Sequence, residues 1–585
     1  MHQPTREPRR SIYYDYQVHE PAPRPTGPAH APVVIAGAGP IGLVTALALA
    51  QQGVRTLLLE AQLQVSEGSR AIVFTRRSME ILQQVGAADA VQRAGLPWRH
   101  GNSWYRGQRV FRMEAPHDAD QRYFPMTNLQ QQYLEQHLLE AVAAQPLIEL
   151  RWGHALTGLI RHDGDGAEFE VDTPDGPYIQ QADWLVAADG ARSGIRQMLD
   201  LRMEGAAYEG RFVIADIRVD LPLPTERLAF FDPAWNPGNT VLMHREPHGI
   251  WRIDYQLPPG ETPEQALTFE SLKSRIDAQL ASIGHAGAAW ELDWSSVYSA
   301  RAMTLPDYVH GRVVFVGDAA HMLPIFGVRG ANTGFQDAQN LGWKLGLVAS
   351  GRAPVELLRS YSHERVGAAR EIIDEAGKST RFMTPPSRGF RLLRDAVLSL
   401  SLSEDFVRPL FHWRTSRPHI HADSPLNDPG DDNALFEAGP PPGAPLPNLR
   451  LGDDAYLLDH CCGAAAGAFV LLLDAAAAQD PALQAGVQRW RAEGVALQLL
   501  CIDAAAGVDL RLLPPGTTRL ADPQGRLKQH LGLSTAAAAL LLRPDQHVCA
   551  RWLQLTPARL DAALQRALAR RPASSAVQAS NQPQP

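Results

Sequence analysis

The stretch VVIAGAGPIGLVTALALA, Val33 to Ala50, has no charged residue in eighteen positions, and it limits the fold more than any other part of the chain. A transmembrane helix wants about 20 apolar residues, so length alone leaves that reading open. The interior argues otherwise. Gly37, Gly39, Pro40 and Gly42 interrupt the run, and Pro40 would break a helix begun at Val33. About thirty polar, proline-rich residues come first, where a secretory signal would already have placed its apolar core. The run divides better into a short β-rich strand, PVVIAG, and a helix, PIGLVTALALAQQG. The helix has proline in its first turn and Gly53 just past its end.

Between the two stands Gly37-Ala38-Gly39-Pro40-Ile41-Gly42, a GxGxxG. Gly37 permits the tight turn, Gly39 lets backbone N–H groups approach a pyrophosphate, and Gly42 lets helix and strand pack closely. The helix N-terminus then faces the phosphates with its positive dipole end. A second apolar strand, RTLLLE, ends in Glu60 about twenty residues on, where an acid can hydrogen-bond a ribose hydroxyl. The unit predicts a dinucleotide site and leaves NAD or FAD open.

Two later segments bear on that choice. In ADWLVAADGARSGIRQML a strand runs into Asp189-Gly190 and then a helix. In GRVVFVGDAAHMLPIFGVRGANTGFQDAQNLGWKLGLV a buried strand ends at Asp318, and a loop through Pro324, Ile325 and Phe326 leads to a helix starting near Gly330, Ala331 and Asn332. A carboxylate at the carboxyl end of such a strand can accept a ribityl hydroxyl. Amides at the helix start suit the partial negative charge of a reduced flavin ring.

Together these motifs resemble the group A flavoprotein monooxygenases, the aromatic-ring hydroxylases related to p-hydroxybenzoate hydroxylase and phenol hydroxylase. GAGPIG resembles the family's GxGxxG, AADGARSGIR its DG motif, and VGDAAHMLPIF with the helix behind it the GD motif. SRAIVFTRRSMEIL resembles the segment whose arginine reaches FAD, matched by Arg70. LQQQYLEQHLLEAV resembles the QxxLE helix, with Gln131 as the flavin-side glutamine. Order and spacing match over roughly residues 32–370. The chain departs where Ala61 follows Glu60, where Pro324-Ile325 replaces a proline pair, and where Arg329 adds a charge that is either near the flavin or in solvent. The resemblance implies FAD, with NADH or NADPH as a transient co-substrate lacking its own Rossmann domain. It implies oxygen insertion into a phenolic or other electron-rich aromatic substrate through a C4a-hydroperoxyflavin, with FAD carrying the chemistry and no catalytic side chain assigned. His321 then reads as structural. The alternative is a flavin-dependent dehydrogenase or oxidase that inserts no oxygen.

The expected fold class is α/β with α+β: a Rossmann-like FAD-binding domain (31–200 and 300–370) interleaved with an antiparallel substrate sheet (200–300). Period-2 segments such as RFVIADIRVDL and GIWRIDYQL support the sheet. Trp235, His244, Trp251 and Tyr255 are its candidate pocket residues, with sheet core the plainer reading of each. Residues 1–30 form a polar arm, for which disorder is the simpler expectation. A helical segment (371–425) and a Pro/Gly/Asp-rich linker (426–445) lead to a domain over 446–572 that resembles the thioredoxin-like domain of the phenol hydroxylase branch, then a disordered tail (573–585). Of four cysteines none stands in CxxC or zinc spacing, which implies reduced thiols, a cytoplasmic protein, no metal, and a structural or dimerisation role that leaves a homodimer open. A net charge of −8 and the lack of a Lys/Arg stripe exclude a broad nucleic-acid surface.

Overall fold

The computed structural model describes residues 2–570 apart from 69, 259, 325, 412–417, 453 and 504–512. Ile325 and the expected tail therefore lie outside the described residues. The chain divides into two units. The first comprises residues 1–50, 55–339 and 365–417. The second comprises 51–54, 340–364 and 418–585.

In the first unit the uncharged run splits at its glycines. Strand Ala29–Ala36 is followed by helix Pro40–Gln51 and strand Thr56–Glu60. Strand Ala29–Ala36 lies between Thr56–Glu60 and Tyr178–Ala187, parallel to both. Val313–Phe315 continues the parallel sheet beyond Tyr178–Ala187, and Ile148–Trp152 flanks Thr56–Glu60. Val33, Val34 and Ile35 have no exposed surface, as expected of a parallel sheet covered on both faces.

A second, eight-stranded sheet in the same unit runs in the order 321–322, 290–304, 204–219, 250–256, 240–245, 227–231, 100–105, 108–114. Apolar residues alternate along its central strands, and each face buries a different cluster. Val213, Ile217, Val241, Met243, Trp251, Ile253 and Tyr255 pack under helix Phe269–Ser282. Phe212, Ala229, Phe231 and Leu242 face Phe326, Phe382 and Met383.

The N-terminal arm packs rather than trailing. His19 N donates to Leu63 O, Ser11 Oγ to Asp293, and Tyr14 and Tyr16 bury against Val65. The polar composition hid three tyrosines spaced closely enough to anchor it.

The second unit holds a five-stranded sheet. Strands 469–474, 497–503 and 517–521 are parallel, and 539–542 and 548–552 extend the sheet antiparallel. Helices Pro481–Ala492 and Pro557–Ala567 contribute to its core, together with Trp343, Leu347 and Leu357. The contacts thus assign residues 340–364 to this unit, because these apolar positions close its core. The Pro/Gly-rich stretch also packs within it: Asp428 N donates to Cys549 O, and Gly443 N to Val548 O. No helix among the described residues is long and apolar enough to cross a membrane.

Candidate flavin site

The loops at the carboxyl ends of three neighbouring parallel strands converge. Gly37 has φ +107°, and a Cβ there would stand 2.5 Å from Ala188 O, so the glycine turn lies directly on the residue before Asp189. A Cβ on Gly42 would come within 2.0 Å of Gly37 O. Ile41 fills the space left by two more glycines. Its side chain is 3.1 Å from a Cβ built on Gly317 and 2.7 Å from one built on Gly334. Three motifs far apart in sequence therefore interlock at Ile41. A Cβ on Gly39, by contrast, would meet nothing, so its backbone opens onto free space at the start of helix Pro40–Gln51. That is the geometry a pyrophosphate needs.

Glu60 ends its strand with Oε2 accepting Ala38 N at 2.8 Å and Oε1 accepting Gln62 N at 2.9 Å. Burial raises its carboxyl, and the amide bonds oppose this. Asp189 follows its strand, accepts Ile195 N through Oδ2, and has its buried Oδ1 without a partner. Gly190 beside it has φ +78°. Asp318 is exposed, although residues 313–317 and 319–321 are all buried, so its carboxylate looks out of the strand end. The surrounding protein still raises its carboxyl, opposed by His321 and Arg70, which brings Arg70 into the electrostatic neighbourhood of Asp318. Gln131 acts one step back: Oε1 accepts Ala71 N at 3.1 Å, and Nε2 donates to Glu135. Glu135 in turn accepts Ser66 N. Gln131 thus braces the loop that carries Arg70.

A helix runs over Gly330–Ala349, and the Asn332 side chain in its first turn is committed to protein. Oδ1 accepts Thr75 N and Ser78 Oγ, and Nδ2 donates to Val73 O and Val328 O. Arg329 is buried, which removes the solvent reading. Val328 holds φ +60°, a strained value for a β-branched residue, in the loop that ends at this helix.

Sequence reasoning passed over Asp337. Oδ2 bonds His321 Nε2 at 2.6 Å and accepts Gly317 N, and Oδ1 accepts Arg365 Nε at 2.7 Å, all with the side chains fully buried. Burial would raise its carboxyl, but His321 and Arg365 outweigh that and hold it below its ordinary value. The Asp318 turn is fixed through this carboxylate, with His321 fully buried against it. Asp337→Asn, which strands Arg365, is expected to cost on the order of 3 kcal/mol in urea unfolding. An unchanged midpoint would refute the tether.

The four pocket candidates separate. Trp251, Tyr255 and, partly buried, Trp235 join the cluster under helix Phe269–Ser282, away from Phe326. That places them in core rather than pocket: strand parity turns Trp251 and Tyr255 to this side, and Trp235 reaches it from the turn between strands 227–231 and 240–245. His244 shares parity with Leu242, on the face that meets Phe326. Phe326 packs edge-on against Phe212 at 5.3 Å, so this face looks onto the loop between Asp318 and Gly330. Pro324 is buried in that loop.

A parallel sheet with a glycine cradle, an acid at the next strand end and a carboxylate at the Asp318 turn form a dinucleotide site, and the matches that follow make the chain a FAD-dependent monooxygenase of the group A type. Residues 30–376 match the family described as FAD binding domain, and the chain belongs to that family. It is 28% identical to the 3-(3-hydroxy-phenyl)propionate/3-hydroxycinnamic acid hydroxylase of Mycolicibacterium smegmatis, over 89% of this chain and 90% of that one. It is 29% identical to the enzyme of the same name from Escherichia coli K12, over 88% and 91%. Among solved structures it is similar to the flavin-dependent monooxygenase PieE in complex with FAD and substrate, with TM-score 0.77 and 25% identity over 93% of this chain and 100% of that one.

Proposed function

We propose that this enzyme hydroxylates the ring of a small phenol carrying an aliphatic side chain, of the size of a phenylpropanoid, with NADH or NADPH as the transient reductant. The observation that carries this reading is the closed aromatic contact between Phe326, on the flavin-site loop, and Phe212, on the sheet, with Phe231, Leu242 and Phe382 buried around it. The names of the two hydroxylases support the substrate class.

The residues present fit FAD: an open backbone at Gly39, an acid at Glu60, and an outward carboxylate at Asp318. In this reading Gly37, Gly39, Pro40, Ile41 and Gly42 hold the pyrophosphate at the helix start, and Glu60 takes an adenosine ribose hydroxyl. Arg70 offsets phosphate charge, Asp189 and Gly190 shape the turn beside it, and Asp318 takes a ribityl hydroxyl. The first amides of helix Gly330–Ala349, at Gly330, Ala331 and Asn332, face the ring. Bound FAD supplies hydride acceptance and oxygen activation. The protein supplies position and dryness: the apolar face around Phe212 and Phe326 orients the substrate ring and excludes water, which would otherwise uncouple reduction from hydroxylation.

In the same reading the second unit is a thioredoxin-like domain, structural in role. Cys461 and Cys462 are adjacent, and burial pushes the Cys501 and Cys549 thiols up to about 12, away from the thiolate that exchange chemistry requires. A cytoplasmic, homodimeric enzyme is consistent with that role.

The test uses FAD-loaded enzyme, NADH or NADPH, and two probes, 3-(3-hydroxyphenyl)propionate and 3-(3-hydroxyphenyl)propanamide, under ¹⁸O₂. At least one probe is expected to stimulate nicotinamide oxidation at least about tenfold and to gain one labelled oxygen. Product without label, or no stimulation by either probe, would overturn the reading.

A further inference from the structure

The sheet face that meets Phe326 becomes polar away from it. By parity the cross-strand row beyond Leu242 carries Arg227, His244, Arg252 and Asp216, and Glu246 follows in extended backbone, φ −119° and ψ 166°. Arg252 is already engaged: Nε and Nη2 donate to the two oxygens of Asp216, both at 2.7 Å. Glu246 is not. Its side chain is fully buried, both carboxyl oxygens lack a hydrogen bond, and Arg252 Nε lies 3.6 Å away while serving Asp216. Gln130, fully buried, donates through Nε2 to Pro247 O, which sets its amide beside Glu246, and its Oε1 accepts nothing. His244 Nδ1 is likewise buried without a partner. The N-terminal arm reaches the same place. Tyr13 OH accepts from Gln132 Nε2 at 2.7 Å, and the Tyr13 ring stacks with His248, two residues past Glu246.

Unpartnered acceptors have therefore been gathered where a buried polar atom without a partner is costly. We propose that this end of the sheet face is a specificity site for the substrate's side chain, and that it takes a hydrogen-bond donor, an amide or ammonium nitrogen, rather than a free carboxylate. A carboxylate there would find Arg252 occupied by Asp216 and Arg227 balanced by Asp254, and would meet the oxygens of Glu246 and Gln130. A nitrogen donor satisfies both. The proposal rests on the phenol-hydroxylase reading and narrows it.

The experiment measures dissociation constants by calorimetry and by the flavin absorbance change for three probes sharing one ring: 3-(3-hydroxyphenyl)propionate, 3-(3-hydroxyphenyl)propanamide and 3-(3-aminopropyl)phenol. The amide and the amine are expected to bind at least about tenfold more tightly than the acid. Glu246→Leu should erase that difference, and Glu246→Gln should keep it for the amide. Because Glu246→Leu removes a buried carboxyl that lacks hydrogen bonds, its thermal midpoint should stay level or rise; a carboxyl that only braces the fold would lower it. Equal binding of the three probes, tighter binding of the acid, or a preference untouched by Glu246→Leu overturns the proposal. If no probe binds or stimulates turnover, the phenol reading fails with it, which the ¹⁸O₂ experiment shows separately.

Discussion

Gly42→Val is expected to give colourless protein that does not recover FAD on reconstitution, whereas Gly39→Ala should give folded protein with weakened FAD binding. The two glycines stand three residues apart in one motif, yet their surroundings differ. A Cβ at position 42 would lie 2.0 Å from Gly37 O, 3.1 Å from Gly37 C and 3.4 Å from Ala188 Cβ. These are backbone and packed atoms, so the helix start must move away from the turn. A displaced helix start loses both its amides and its dipole at the phosphates. A loss of at least about 100-fold in FAD affinity, some 2.7 kcal/mol, is the minimum expected. At Gly39 a Cβ meets nothing, so alanine leaves the apo fold unstrained and collides only with what comes to occupy the open space. The measurements are flavin fluorescence quenching for affinity and thermal unfolding of the apo protein for the fold. A yellow Gly42→Val protein, or a Gly39→Ala apo protein that melts several degrees early, would sink this account of the cradle.

What the sequence made legible follows the same division. Local motifs were readable because each demands particular residue types at fixed spacing: the turn at Gly37, the acid at Glu60 and the strand-end carboxylate at Asp318. Their convergence at Ile41 was not, because it depends on Gly317 and Gly334 being small opposite one side chain from another motif. The alternating strands of the second sheet were visible too. Which of two alternating sets faces the flavin loop is a matter of register with neighbouring strands, and period 2 is silent on it. Aromatic side chains drew attention to Trp251 and Tyr255, whereas the polar residues one position away, Arg252 and Asp254, share parity with Phe212. Asp337 was missed because a single aspartate in a helix gives no signal until His321 and Arg365 are seen on its two oxygens.

Glu364→Gln should be the most damaging single change in the second unit. Its carboxylate is fully buried and fully used: Oε1 accepts Arg543 Nη1 at 2.6 Å and Ser424 Oγ, and Oε2 accepts Lys344 Nζ at 2.8 Å and Asn340 Nδ2 at 2.7 Å. Asp545 takes the other side of Arg543 and the Trp343 indole N–H. Two cations thus balance two anions in one dry cluster, and Lys344, drawn down to about 8 by burial, is the weaker cation. Glutamine keeps the shape, removes one negative charge, and turns an acceptor toward Lys344 or Arg543 into a donor. Breaking a buried pair from one side costs about 3–5 kcal/mol. For a unit of this size that is roughly a 10 °C fall in its melting transition. Acid provides the second readout. Burial acts to raise Glu364 and Asp545, but Arg543, with Lys344 and His547, overrides it and holds both well below their ordinary values. Their stabilisation is therefore complete above about pH 4 and is lost as pH falls through the native values. Glu364→Gln should flatten that acid limb while lowering the neutral plateau. A variant with the same plateau and the same acid slope as the parent would show that Glu364 contributes nothing net, as a hydrophobic replacement of a buried ion cluster sometimes does.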